Sequence, residues 1–388
     1  MLIINAKIFT MAGEIIENGY INVVGRKICK VGGMDDLDFS DNEVFDAVGM
    51  EVYPGFIDAH THLGMFEDGL SFEGDDGNEY SEPVTPQLRA IDAVNPLDRC
   101  FEEALMAGVT TVVTGPGSAN PIAGQIAAIK TSGKRIDDMI VKQPVAMKFA
   151  LGENPKNVYH ERNQSPITRM ATTSLIREQL HKAKRYYEEK LEAEKEDSDY
   201  DLPDYDAKCE ALVPLLSKQI HAHFHAHRAD DIFTAIRIAK EFDIDYVIVH
   251  GTEGHMIANE LKEEGTRVLS GPFLSDRSKP ELSNLTPRTP GVLSNAGVET
   301  AIVTDHPVIP LQYLPICAGL AVKEGMSRED ALRAITIAPA KICGIEDAVG
   351  SIEVGKDADL VMFDSDPLSV MAEPKVVVCN GNFVKKYI

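Results

Sequence analysis

Eight apolar, strand-like runs spaced along the middle of the chain constrain its fold more than any other feature. The first, YPGFIDAHTHLG, spans positions 53–64, and it is followed by GVTTVVTGPG, AGQIAAIK, KQPVAMKFALG, KQIHAHFHAHR, FDIDYVIVHG, GTRVLSGPF and VETAIVTDHP. Several of them lead into helix-like stretches such as ADDIFTAIRIAKEF and TEGHMIANELKEEG. Apolar strands alternating with helices bury a parallel sheet on both faces, and eight such units are the number that closes a barrel. The predicted fold class is α/β, with a (β/α)8 TIM barrel at its centre.

Both flanks of this pattern differ from it. Residues 1–53 read as short strands and turns, as in LIINAKIFT and GYINVVGRKICKVG, and residues 346–388 return to that character in GSIEVGKDADLVMFDSDP and PKVVVCNGNFVKKYI. The two ends are expected to pair into one small β-sandwich domain beside a barrel of residues 54–345. Residues 154–214 break the rhythm with the charged, helix-like LIREQLHKAKRYYEEKLEAEKEDSD. They read as a helical insertion at the barrel rim, against the alternative of a solvated decoration, which charge runs often are.

With 388 residues, 44% of them hydrophobic, the chain can bury a sizeable core. Its formal net charge of -23, from 61 acidic and 38 basic residues, argues against nucleic acid or an anionic membrane as partner. A small-molecule substrate is the expected partner, and assembly into a homo-oligomer is left open. The first residues lack a basic segment followed by a long apolar one, so no export signal is expected, and a cytoplasmic location fits. The uncharged HPVIPLQYLPICAGLAV carries three prolines and is too short to span a bilayer. Six cysteines without a C-x-x-C pair fit reduced thiols, so a bound metal would have to be held by histidine and carboxylate.

Those residue types gather at the ends of the strand-like runs, where a parallel barrel places its active site. His60 and His62 end the first run, Lys148 lies near the end of the fourth, His225 and His227 end the fifth, His250 the sixth and Asp305 the eighth. Residues two apart on a strand point to one face, so His60 and His62 converge. A pair of satisfied histidines at a strand end would be the unremarkable reading of H-x-H alone; five strand ends of this composition favour a ligand set. Imidazole and carboxylate bind zinc or a similar divalent ion, iron and manganese included, and the inventory suffices for two ions. A carboxylate beside a metal can take the proton of an attacking water, and Asp305 suits that task. The loop TGPGSANPIAGQ reads as a pocket wall, since it lacks the glycine–lysine pattern of a phosphate loop. Arg162 and Arg169 could recognise a substrate carboxylate or form surface ion pairs.

The segments PGFIDAHTHLG, AGVTTVV, VHGTEGH, VTDHP and GSIEVGKDADLVMFD together resemble the amidohydrolase superfamily, in particular its imidazolonepropionase-related and Xaa-Pro-dipeptidase-like members. The resemblance covers nearly the whole chain apart from residues 154–214. It implies His60 and His62 on a more buried metal, His225 and His250 on a more exposed one, and Asp305 as ligand and general base. It also implies that a carboxylated Lys148 bridges two divalent ions, expected to be zinc, because a free ammonium there would repel them; Glu153 is the rival carboxylate. Within HAHFHAHR, His225 is preferred as ligand over His223, His221 reads as core, and His227 and Arg228 are expected to face substrate. His255 either reaches the pocket or opens the next helix. The activity implied is hydrolysis of an amide or cyclic-amide C–N bond in a small molecule. A Xaa-Pro-type dipeptidase, a deaminase and a catalytically silent binding subunit are the alternatives.

Overall fold

The computed structural model describes residues 1–38, 43–195 and 199–386; positions 39–42, 196–198 and 387–388, which belong to the expected terminal domain and insertion, lie outside them. Strands β1 (Leu2–Ile8), β2 (Ile16–Val24), β3 (Lys27–Gly33), β4 (Val44–Asp46) and β5 (Glu51–Pro54) come first. The barrel strands follow as β6 (Phe56–Thr61), β7 (Val109–Thr114), β8 (Ile122–Lys130), β9 (Ile140–Ala150), β10 (His221–Ala226), β11 (Tyr246–His250), β12 (Arg267–Ser270) and β13 (Glu299–Ile302). Strands β14 (Leu360–Phe363), β15 (Val376–Cys379) and β16 (Asn382–Lys386) complete the order.

All eight strand-like runs form strands of one sheet, ordered β6 to β13 as in the sequence. The sheet departs from the expected all-parallel barrel at one strand. β8 runs antiparallel to both β7 and β9, whereas the remaining pairs are parallel. The cause is the length of the connections: residues 115–121 and 131–139 separate these strands, and a parallel crossover needs a dozen or more residues. The barrel is nearly closed by segments beyond β13. The His62 amide donates to the His306 carbonyl at 2.8 Å and the Asp305 amide to the His60 carbonyl at 3.2 Å. Asp58 reinforces this seam, its Oδ2 accepting from the Thr304 amide at 2.9 Å and the Thr304 hydroxyl at 2.6 Å.

Val113, Ala128, Val247, Leu269 and Ala301 share one buried apolar cluster within the sheet. A second cluster joins Phe149 and Phe224 to the helices that cover them. In the 154–214 region the helix Arg169–Ala193 starts at Thr168, whose hydroxyl accepts from the Ala171 amide at 3.1 Å. Ile176, Leu180 and Ala183, spaced by a helical repeat, are fully buried in that second cluster together with Leu212 and Leu215 of the helix Ala207–Leu216. The charged run therefore has an apolar face that covers β9 and β10, and only its other face is solvated.

The chain ends build a second eight-stranded sheet in the order β16-β15-β14-β5-β1-β2-β3, with β4 beside β1. Its strands are hydrogen-bonded into one continuous sheet, and Ile3, Ile21, Ile28, Val52, Leu360 and Val376 share one buried cluster. The tail segment GKDADLV fixes it to the barrel. Lys130 at the end of β8 is 2% exposed and pairs with Asp357 at 3.1 Å and with Asp359. Asp357 also receives Arg26 at 3.2 Å and Lys27 at 2.9 Å, and Asp359 accepts the Asn380 amide at 2.8 Å. Burial works against ionisation of Asp357, but the cations drawn from the barrel and from the first strands outweigh it and hold its carboxyl below the usual range.

Candidate metal centre

The strand ends converge on two ligand groups at one mouth of the barrel: His60, His62 and Asp305, and His225, His227 and His250. In the first, Asp305 Oδ1 lies 3.3 Å from the Nε2 atoms of both His60 and His62. In the second, the His227 and His250 rings stack at 4.5 Å, and His225 stands 4.7 Å from His227 and 4.5 Å from His250. The groups adjoin, the His60 and His250 rings being 5.3 Å apart.

Outer partners orient the rings. His62 and His250 each direct Nδ1 at a backbone carbonyl, of Gly115 and Gly271, at 2.7 Å. A carbonyl only accepts, so each Nδ1 carries a proton and each Nε2 is turned inward, the orientation a metal requires. His227 directs Nδ1 to the Thr252 hydroxyl at 2.7 Å. Gly271 can serve because it has no side chain: at φ +144°, a Cβ there would stand 2.1 Å from the Val303 carbonyl oxygen. His250 and Asp305 adopt φ of 75° and 55°, in the left-handed region that non-glycine residues seldom occupy. Strain at two candidate ligands fits a site whose geometry is set by function.

Burial decides the protonation states. It holds the His225 and His227 imidazoles well below their ordinary range, with the His250 charge adding to it, and pushes His250 down to about 4. Burial and then the Lys148 charge do the same to His60. Near neutral pH the rings are therefore neutral, with lone pairs available. Burial works against ionisation of Asp305, but the His250 charge and the contacts from His60 and His62 outweigh it and hold this carboxyl well below its usual range. Burial pushes Asp58 up to about 7 despite its bonds from Thr304 and from the His60 amide at 3.1 Å. Converging buried imidazoles and an ionised, partly buried carboxylate are a donor set that fits divalent ions.

Lys148 is fully buried, with Nζ 3.2 Å from His60 Nε2, and burial lowers its pKa to about 8. Its rival Glu153 turns toward the helix Glu153–Glu161, its carboxylate accepting from Asn157 at 3.3 Å and from the Glu281 amide at 3.4 Å. His223 is fully buried with neither ring nitrogen hydrogen-bonded, and His221 stands 3.5 Å from Arg267. Arg228 is an exposed partner of Asp230, at 2.9 Å. His255 contacts the Thr252 carbonyl at 3.1 Å and the Thr289 hydroxyl at 3.0 Å. Arg169 clamps buried Asp231 at 2.8 and 3.0 Å, and Arg162 lies 5.0 Å over the Tyr80 ring. Glu281, Lys279 and Asn154 are brought to the mouth without having been singled out in the sequence. Glu281 comes from SKPELSN, a loop with no ligand-like spacing, and only its place after the seventh barrel strand could have signalled it.

A mixed barrel with an imidazole–carboxylate group adjoining a three-imidazole group at one mouth defines a class of proteins equipped to hold divalent ions there. The sequence matches the amidohydrolase family over residues 52–386, and the chain belongs to that family. Among solved structures, an amidohydrolase from Thermotoga maritima MSB8 is 44% identical, with a TM-score of 0.94 and full coverage of both chains. The amidohydrolase tasK of Hapsidospora irregularis is 30% identical over 95% of this chain, which spans only 39% of that relative's length. An imidazolonepropionase from Geobacillus sp. (strain WCH70) is 25% identical over 90% of this chain and 85% of its own. No helix among the described residues is long and apolar enough to cross a membrane.

Proposed function

We propose that the protein is a metal-dependent hydrolase that cleaves the C–N bond of an amide or cyclic amide in a small molecule. The observation that carries this reading is Asp305, whose ionised carboxylate lies 3.3 Å from two imidazoles and beside a second histidine group. His60, His62 and Asp305 would hold one divalent ion and His225 and His250 the other, with Lys148, in carboxylated form, as a further ligand; zinc is the expected metal. When bound, such ions lower the pKa of water toward neutrality and polarise a carbonyl. Asp305 takes the proton of the attacking water and returns it to the leaving nitrogen. The Nδ1 contacts of His62 and His250 keep their rings fixed while this happens. His227, Arg228 and His255 are the groups assigned to substrate.

The test is elemental analysis of protein purified without chelator, joined to a hydrolysis screen over cyclic amides, N-acyl amino acids, dipeptides with proline, and aminated heterocycles. Two divalent ions per chain and turnover of an amide are expected. Asp305→Asn keeps the size and removes the basic oxygen, so turnover should fall by about 10² to 10⁴ in a folded protein. Turnover within a few-fold of the parent would assign the proton to another group. Active protein with no metal would refute the metal-dependent reading. A protein that carries both ions but turns over nothing would favour a silent binding subunit.

A further inference from the structure

One buried carboxylate at the mouth has no part in the ligand set above. Glu281 lies in the short turn Pro280–Leu282 after β12 and is 1% exposed. Its Oε2 accepts the Glu153 amide at 3.0 Å. Its Oε1 lies 3.7 Å from His227 Nε2 and 3.9 Å from His225 Nε2. The Lys279 ammonium stands 2.7 Å from Oε1, yet that oxygen receives no well-directed hydrogen bond, and the same ammonium donates to Asn154 Oδ1 at 2.7 Å.

The surrounding nitrogens make this arrangement unusual. The Asn154 side-chain amide approaches His225 Nε2 at 3.4 Å, so that nitrogen acts as an acceptor. The His227 Nδ1 contact is with the Thr252 hydroxyl, which can accept from the ring, and in that tautomer Nε2 is an acceptor as well. The His250 Nδ1 bond to the Gly271 carbonyl requires the same of His250. Two acceptor nitrogens, the His227 imidazole and a carboxylate oxygen therefore gather in a buried space, where a shared cation turns their repulsion into attraction. Donors about 2.0–2.2 Å from a tetrahedral ion lie roughly 3.3–3.6 Å from one another. The observed 3.7 and 3.9 Å need only a small contraction.

We propose that Glu281, together with His227, joins His225 and His250 as a direct ligand of the second ion. This rests on the metal-dependent reading above, and it moves His227 from the substrate to the metal. Lys279 and the Glu153 amide are the outer partners that aim the carboxylate.

The test uses cobalt(II) added to metal-free full-length protein, with affinity and visible spectrum recorded for the parent, Glu281→Gln, Lys279→Met and Glu281→Cys. The parent should take up two ions; if it takes up none, the metal-dependent reading fails, independently of Glu281. Glu281→Gln should keep the first ion, which serves as the control for folding, and bind the second at least about 100-fold more weakly, at or beyond the upper end for loss of an outer partner. Lys279→Met should keep both ions. Glu281→Cys should add a thiolate-to-cobalt charge-transfer band in the near ultraviolet, which only direct contact produces. Parent-like affinity and spectrum in Glu281→Gln, or the absence of that band in cobalt-loaded Glu281→Cys, would overturn the assignment.

Discussion

Lys148 shows what a single residue gains from its position. A lysine binds carbon dioxide only as the neutral amine, and the ordinary lysine pKa of about 10.4 leaves little of that form at neutral pH. Burial brings Lys148 down to about 8, so the reactive form becomes substantial far closer to neutrality. The sign follows directly: below pH 8 the ammonium has no lone pair, and above it the amine is free. In metal-free protein at fixed dissolved carbon dioxide, carbamate formation followed by carbon-13 NMR should rise as pH passes through about 8 and then level off. A rate that keeps climbing toward pH 10 would show an unperturbed lysine, and Lys148→Ala should give no signal. His60, His62, His225, His250 and Asp305 were legible as candidates because strand periodicity and barrel geometry place strand ends at the mouth. Glu281 was not, because a loop residue is aimed by tertiary contacts that no spacing encodes.

At the scale of elements, the eight strands were legible and the direction of one was not. Apolar runs report burial, and burial is the same for a strand running either way. The short connections on each side of β8 set its direction, since neither residues 115–121 nor 131–139 can carry a crossover. The helix Arg169–Ala193 was obscured for a different reason: its charged face outnumbers the narrow stripe of Ile176, Leu180 and Ala183 that buries it. The end of β8 also supports a prediction. Replacing Lys130 by Met would leave Asp357 buried against the partly exposed Arg26 and Lys27 and would remove the ion pair of Asp359. Removing one partner of a buried pair typically costs about 3–5 kcal/mol, so calorimetry should show a clear fall in melting temperature. An unchanged melting temperature would mean that the terminal sheet is held by apolar contact alone.

For the molecule as a whole, family membership and the paired ligand groups bound the chemistry, whereas the substrate depends on loops such as residues 271–285 whose conformation the sequence pattern does not encode. The path by which the barrel closes has a further consequence. The strands β7, β8 and β9 form a meander of contiguous residues, whose pairings require only short loops to close. The seam that completes the barrel joins His60 and His62 to Asp305 and His306, residues remote along the chain. Pairings of low sequence separation tend to form before distant ones. Pulse-labelled hydrogen exchange during refolding should therefore protect amides of β8 and β9 before those of His62 and Asp305, and simultaneous protection would contradict this order. A growing polypeptide would display its first two imidazoles long before the carboxylate opposite them has been synthesised. Capture of an ion by His60, His62 and Asp305 together would then mark the moment at which the barrel has become whole.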